Sequence, residues 1–396
     1  MIKEISKNIV YVDGYKNSAI YNFNDEKVYS LNNFGTEIFR KYFRNINLSM
    51  EENEFVSKVK QLLNINVIRK NDYKFKENND ISVNTAWLEV TQRCTHKCLH
   101  CYEGKEHCEP KSVLEIQQWM NSIYELKKLK CDNIQFIGGE PTLYPYLSEL
   151  IEYSKKLNIK NISIFSNLFF LNKRLLNTII KYKIKVNFSL YGHDSVTHDK
   201  ITNIPGSFKK IEENLKILLD NKVPVSAHII IMKENENEKE KIFRYVNKLG
   251  ISDIKYDEVR KVFGGNQELH LVKKSDLIRK GPNFKASKVY FDNSYNKNTC
   301  WHGKCVISTD GNVYPCEFER NIIYGNINEC SLSNIIKGEI IKKYWNMSFD
   351  EVDYCKQCEY RFACKDCRPL AFAEKGDIYQ KNPRCKYNPM LGKWED

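Results

Sequence analysis

Between about residue 85 and residue 260 the chain switches its hydrophobic period again and again. Apolar runs at 85–91, 133–138, 161–166, 186–190, 225–231 and 253–259 read as strands, and helical spacing fills the stretches between them. In one of these, Ile116, Trp119, Met120, Ile123 and Leu126 share a face behind a Ser112/Glu115 capping box; another covers residues 208–219. Strands that alternate with helices pair in parallel, and such a sheet presents its chemistry at the C-terminal strand ends. Six units predict an α/β fold, a partial (β/α)6, TIM-like barrel left open on one side to a large substrate.

Directly after the first of these strands come Cys94, Cys98 and Cys101, spaced C-x3-C-x2-C. A tetrahedral metal site or a cubane cluster needs four ligands, so three thiolates leave one position open, and an open position on iron is where chemistry can happen. Other strand ends add to this face. Gly138, Gly139 and Glu140 follow the second strand. Paired glycines let backbone approach a ligand closely and Glu140 can accept from an ammonium group, although an ordinary β-to-α turn accounts for the same residues. Ser166 and Asn167 end the third strand and Ser189 the fourth. Singly these read as turn residues; together they outline a pocket for a small polar cofactor.

The 396 residues allow two or three domains. No apolar run reaches membrane-spanning length and the first residues lack a signal-peptide core, so a cytoplasmic protein without a membrane partner is expected. In a reducing compartment the 14 cysteines read as metal ligands rather than disulfides. The net charge of +12 is spread among acidic neighbours, as on a solvated surface, and suits an acidic peptide or redox partner. No basic stripe interleaves with aromatics, which argues against nucleic acid.

Residues 1–84 form a cysteine-free module. Strand-like runs at 9–12, 18–23 and 27–31 precede a helix with Ile38, Phe39, Tyr42 and Phe43 on one face. A second helix, capped by Ser49 with Glu52, carries Phe55, Val59, Leu62 and Leu63, and 65–68 reads as a returning strand before a polar linker at 76–80. The module is either a structural cap or a recognition unit whose strand edge receives a partner's extended segment. From residue 295 the cysteines return: Cys300, Cys305 and Cys316 around an Asp310–Gly311 hairpin turn, then Cys355, Cys358, Cys364, Cys367 and Cys385. Eight thiols suit two four-ligand sites. Structural zinc and iron–sulfur clusters both remain open, although the five-residue loop between the CxxC pairs is short for a zinc ribbon. Cys108, Cys131 and Cys330 have no matching spacing.

The cysteine patterns resemble the radical S-adenosylmethionine superfamily, with His100 before the last cysteine of the first motif, followed by a C-terminal SPASM extension. The resemblance covers roughly residues 85–390 and implies three domains: 1–84, a radical S-adenosylmethionine barrel at 85–294, and SPASM at 295–396. It implies three [4Fe-4S] clusters. Cys94, Cys98 and Cys101 would hold the one that chelates S-adenosylmethionine through its open iron. Cys300, Cys305, Cys316 and Cys367 would hold a second, and Cys355, Cys358, Cys364 and Cys385 a third, both fully ligated and suited to electron transfer. Gly138, Gly139 and Glu140 match the motif for the methionyl amino group, Tyr102 sits where backbone meets adenine, and Ser166, Asn167 and Ser189 match ribose or carboxylate contacts. Glu317 falls where the sulfatase-maturating branch has an acidic base. The two spacings Cys300–Cys305 and Cys364–Cys367 are each one residue shorter than in that branch.

The N-terminal module resembles the small winged-helix domain by which ribosomal-peptide maturases bind a leader. The implied activity is 5′-deoxyadenosyl-radical hydrogen abstraction on a precursor peptide, forming a crosslink such as a thioether, with a flavodoxin- or ferredoxin-type electron donor. Two alternatives stand beside it: oxidation of Cys or Ser to formylglycine in a folded protein, and a zinc-stabilised binding protein without catalysis.

Overall fold

The computed structural model describes residues 1–75, 81–102, 104, 113–262 and 267–395; the expected linker at 76–80, Ser112 and Cys108 lie outside them, and Glu115, expected inside the helix, is instead its N-cap, in a capping box with Gln118. The chain forms two compact units, one of residues 1–79, 278–302 and 343–396, the other of residues 80–277 and 303–342. Both are discontinuous in sequence, so packing groups the chain differently from the three segments named above.

The first unit is β-rich. Strands β1 (Ile2–Ser6), β2 (Ile9–Asp13), β3 (Ser18–Asn22) and β4 (Lys27–Leu31) form an antiparallel meander, with β5 (Asn71–Asp72) beside β1. Two helices follow the meander, α1 (Asn33–Phe43) and α2 (Met50–Leu63). The Ser49–Glu52 capping box is present at the start of α2. Both faces of the sheet are buried. Ile5, Ile9, Tyr11 and Ile20 pack with Ile38 and Phe39 of α1 and Val56, Val59 and Leu63 of α2. Val10, Val12, Ala19, Tyr21 and Val28 pack on Phe291, Tyr360, Phe362 and Tyr387 from the C-terminal cysteine-rich region. That double burial explains why β3 lacks an exposed face.

The second unit carries the expected alternation. Strands β6 (Thr85–Glu89), β7 (Asn133–Ile137), β8 (Asn161–Ser166), β9 (Lys185–Leu190), β10 (Val225–Ile231) and β11 (Ile254–Glu258) lie side by side in chain order, all parallel. Between them run α3 (Ile116–Lys128), α4 (Leu147–Lys156), α5 (Lys173–Tyr182), α6 (Ser195–Thr202), α7 (Ser207–Asp220) and α8 (Lys239–Lys248). Buried residues stack across the strands in register: Ala86 on Ile134 and Ile162, Leu88 on Phe136 and Ile164. Each of the larger of these side chains contributes about 1.5–3 kcal/mol by leaving water. The opposite face is partly polar: the Trp87 indole donates to Gln135 (2.9 Å), whose amide donates to Ser163 (3.2 Å). Beyond β6 the sheet continues through β12 (Lys304–Ile307), parallel to β6, and then β13 (Asn312–Tyr314) and β14 (Gly325–Asn326), both antiparallel. The Asp310–Gly311 turn joins β12 to β13; Gly311 has φ of +88°, and a Cβ there would meet Asn328 at 2.6 Å.

Candidate functional site

The loop that leaves β6 carries Cys94, Cys98 and Cys101, and the end of β7 lies against its entry. Gly138 has φ of +153°, and a Cβ on it would meet the Thr91 carbonyl at 2.2 Å; one on Gly139 would meet the Gln92 carbonyl at 2.4 Å. With no side chains in the way, the Gly139 N–H donates to Thr91 O and the Glu140 N–H to Arg93 O, each at 2.8 Å. The close approach expected of these glycines is therefore made to the backbone that leads into Cys94.

Glu140 is fully buried. Its oxygens accept from the Thr142 N–H (3.1 Å) and hydroxyl (2.7 Å), the Ser166 hydroxyl (2.7 Å) and the Asn167 N–H (2.7 Å). Burial raises its carboxyl above the ordinary range, and these donors oppose the rise. Glu140 thus ties the end of β7 to the end of β8. The Asn167 side chain, held there, donates to Thr95 Oγ1 (3.0 Å) and approaches Cys94 Sγ at 3.8 Å, while the His96 N–H donates to Cys94 Sγ (3.4 Å).

The three thiols feel one another electrostatically. Burial pushes Cys94 up to about 12 and Cys98 higher, so as thiols they are neutral. A soft metal cluster removes those protons and suits three thiolates on one loop with N–H donors aimed at the sulfur. The donor set therefore fits the cluster that the sequence implies.

Sequence reasoning missed Tyr191. Tyr191 is buried, and its phenol lies near Cys98 and Ser189. Its ring meets His100 edge-on at 4.8 Å and stacks on His198 at 5.3 Å. The available signal was its place two residues after Ser189, on the same face of an extended chain. Ser189 thus lies beside Tyr191. Tyr102 is half-buried with its ring 5.4 Å from Phe318, which also lies under the Arg260 guanidinium. Glu317 keeps part of its surface open, yet burial of the carboxyl raises its pKa; the charges of Arg260, Arg320 and Lys304 pull the other way. A raised carboxyl is the state a proton acceptor near neutral pH needs.

The C-terminal cysteines divide between the units: Cys305 and Cys316 belong with the parallel sheet, the other six with the N-terminal module. Within the latter unit Cys355, Cys358, Cys364 and Cys385 are partly buried and electrostatically linked, Cys355 to Cys364 and Cys385, Cys358 to Cys355 and Cys364. Arg279, also missed from sequence, bridges to Cys385 through its backbone and donates from its guanidinium to Cys364 Sγ (2.6 Å). A partly buried cation beside Cys364 and Cys385 would offset the negative charge a tetrathiolate cluster brings. These four fit the set the sequence implies. In the same unit the Cys300 N–H donates to Asn298 and Cys367 precedes the helix Arg368–Lys375; Arg368 feels both Cys355 and Cys300.

Residues 88–246 match the radical SAM superfamily and residues 300–359 match SPASM, an iron–sulfur cluster-binding domain. The antilisterial bacteriocin subtilosin biosynthesis protein AlbA of Bacillus subtilis (strain 168) is 25% identical over 302 residues, which cover 71% of this chain and 66% of AlbA. The chain thus spans just under two thirds of AlbA's length. The cysteine-type anaerobic sulfatase-maturating enzyme of Clostridium novyi (strain NT) is 26% identical over 323 residues, covering 70% of this chain and 86% of the relative. Among solved structures, Streptococcus suis SuiB bound to precursor peptide SuiA aligns with a TM-score of 0.60 at 15% identity, over 98% of this chain and 100% of SuiB. Native anSMEcpe with bound AdoMet aligns at 0.58 and 18% identity, over 75% of this chain and 93% of its own. Both likenesses show the fold. With its three-cysteine loop at the end of β6 and its C-terminal cysteine set, the chain is an enzyme with a radical SAM domain at residues 88–246 and a SPASM iron–sulfur cluster-binding domain at residues 300–359.

Proposed function

We propose that this enzyme modifies a ribosomally synthesised precursor peptide, abstracting a substrate hydrogen and forming a crosslink such as a thioether. The observation that carries this reading is coverage. The SuiB fold match takes in the N-terminal module, whereas the anSMEcpe match covers three quarters of the chain. The relation to AlbA, named for subtilosin biosynthesis, points the same way. Formylglycine formation is the second reading, and the Clostridium novyi relative favours it. The iron–sulfur match over residues 300–359 weighs against the zinc-only alternative.

Bound S-adenosylmethionine and its reduced four-iron cluster supply the 5′-deoxyadenosyl radical. Cys94, Cys98 and Cys101 hold that cluster. Gly138 and Gly139 set the backbone, Tyr102, Ser166, Asn167 and Ser189 contact S-adenosylmethionine, and Glu140 positions Ser166 and Asn167 rather than acting alone. Glu317 accepts the proton released when the substrate is oxidised. The C-terminal cysteines would hold two auxiliary clusters that would relay electrons, and a flavodoxin or ferredoxin would be the external electron donor. The N-terminal module, in a winged-helix role, adds the leader as a strand to its sheet. The free part of that sheet is short. Residues 69–73 cover β1, and Phe284 and Ala286 bond to Val28 and Glu26 at the other edge. The Ser30 N–H, which alternates with that of Val28, has no backbone partner among the described residues. The test is to incubate the anaerobically reconstituted enzyme with a leader-bearing, cysteine-containing peptide and the same peptide without leader. A crosslinked product from the first alone supports the reading; formylglycine from a leaderless sulfatase segment supports the second.

A further inference from the structure

One stretch of surface, beside the cysteine loop, gathers lysines from three elements. The loop is held by α6: the Lys97 N–H donates to Thr202 O and the Leu99 N–H to Ile201 O, each at 3.0 Å, and Ile201 packs with Cys98. Helix α7 follows closely, with the Thr202 and Ser207 hydroxyls 2.8 Å apart. Buried His96 meets the Phe169 ring edge-on at 5.3 Å, and the Asn214 amide of α7 donates to Leu168 O (2.7 Å) in the same turn. Lys97 of the loop, Lys200 of α6 and Lys209 of α7 are exposed here, and none is in a salt bridge among the described residues. The nearby acids are engaged. Asp199 accepts from the Gly206 N–H (2.7 Å), the Ser207 hydroxyl (2.8 Å) and the Phe208 N–H (2.8 Å), and Glu213 pairs with Lys210 (2.7 Å). Val196, 78% exposed, lies one turn before Lys200 on the same face of α6, and Phe170, 45% exposed, follows the ring that touches His96. Exposed apolar side chains among cations make a surface suited to docking an acidic protein.

We propose that this lysine face is where an acidic one-electron carrier protein docks to reduce the cluster held by Cys94, Cys98 and Cys101. The proposal rests on the external donor named above and adds where that donor binds. Position supports it, because the face is built from the cysteine loop itself and from the helix hydrogen-bonded to it, so a carrier seated there stands on the segment that bears the ligands. Charge supports an acidic partner: cations steer a negatively charged protein to the encounter, and salt weakens that steering. In the step itself one electron leaves the carrier and the cluster gains it; no bond is made or broken and no proton moves.

The test uses the anaerobically reconstituted full chain and an acidic flavodoxin as the probe. Calorimetric titration at low salt reads the affinity. Formation of 5′-deoxyadenosine is then driven either by the flavodoxin with its reductase and NADPH, or by dithionite, which needs no docking face. In Lys200→Glu/Lys209→Glu the affinity and the flavodoxin-driven rate should each fall about tenfold, with the dithionite-driven rate unchanged. A control, Lys156→Glu/Lys248→Glu, makes the same change of net charge at exposed positions that end α4 and α8, and should behave as wild type. Unchanged flavodoxin affinity in the first variant, an equal loss in the control, or an equal loss of the dithionite-driven rate overturns the docking face. So does a first variant that loses affinity for the precursor peptide and keeps it for flavodoxin. A wild type that dithionite activates but flavodoxin neither binds nor reduces overturns the donor reading beneath the proposal.

Discussion

Glu140 is buried among donors, and that makes it a sensitive position. Gln keeps its shape but turns an N–H2 toward the Thr142, Ser166 and Asn167 groups that now donate to it. Glu140→Gln should cost about 1–3 kcal/mol of stability and weaken S-adenosylmethionine binding, with iron content retained. Thermal melts and a binding titration check this, and an unchanged melting temperature contradicts it. His198 offers a test with a defined sign. Burial pushes it down from 6.5 to about 3, and its Nδ1 accepts from the Tyr191 N–H, which requires the neutral ring. The unfolded chain gains a proton as pH falls below about 6.5 and the folded chain does not. The stability His198 contributes is therefore full above that pH and is lost on the way down to about 3. Between about pH 7.5 and 5.5 the loss is about 1.4 kcal/mol, so the gap between wild type and His198→Asn should narrow by that amount. A constant gap means the ring protonates freely. Both residues show what the sequence conceals. The types and order of Gly138, Gly139, Glu140 and Asn167 are legible in it, but which group each one faces depends on how the ends of β7 and β8 abut, and no spacing rule states that.

At the level of elements, period-2 and period-3.6 patterns located β6 through β11 and α1, α2 and α7 to within a residue or two, because burial drives both the patterns and the elements. Two readings in the N-terminal module changed. The run at 65–68 is not a strand; Ile68 is buried with α1 and α2, and the chain reaches β1 only at 69–73. Strand β1 went unseen because Lys3 and Glu4 dilute its apolar residues. Leu62, expected inward, is 63% exposed, and Val56 takes the inward place instead. The lower face of the module's sheet covers Phe291, Phe362 and Tyr387. Deleting residues 1–84 would therefore strip the cysteine-rich region as well as any leader site, and a point change discriminates better. Ser30→Pro removes the outward N–H at the free end of β4 and should weaken leader binding roughly tenfold, about 1.4 kcal/mol. Ser30→Ala, which loses only the hydroxyl contact to Tyr360 and keeps the N–H, should bind normally. Equal affinity in wild type and the Pro variant would move the leader site elsewhere.

For the whole molecule, the chemistry was more legible than the packing. Cysteine spacing marks the radical SAM and SPASM domains along the chain, whereas the grouping of residues 343–396 with the N-terminal module arises from apolar surfaces far apart in sequence, which no local pattern records. Among the described residues no helix is long and apolar enough to cross a membrane. Three four-iron clusters predict about 12 irons and 12 sulfides per chain after anaerobic reconstitution, and about four fewer of each when Cys94, Cys98 and Cys101 are changed to Ala. The most direct test of the central claim is 5′-deoxyadenosine formation from S-adenosylmethionine under strong reductant, followed by chromatography for wild type and for that triple variant. Formation in the wild type and none in the variant, with the remaining clusters intact, is the expected result. Cleavage that survives in the triple variant would contradict the assignment of the open three-cysteine site.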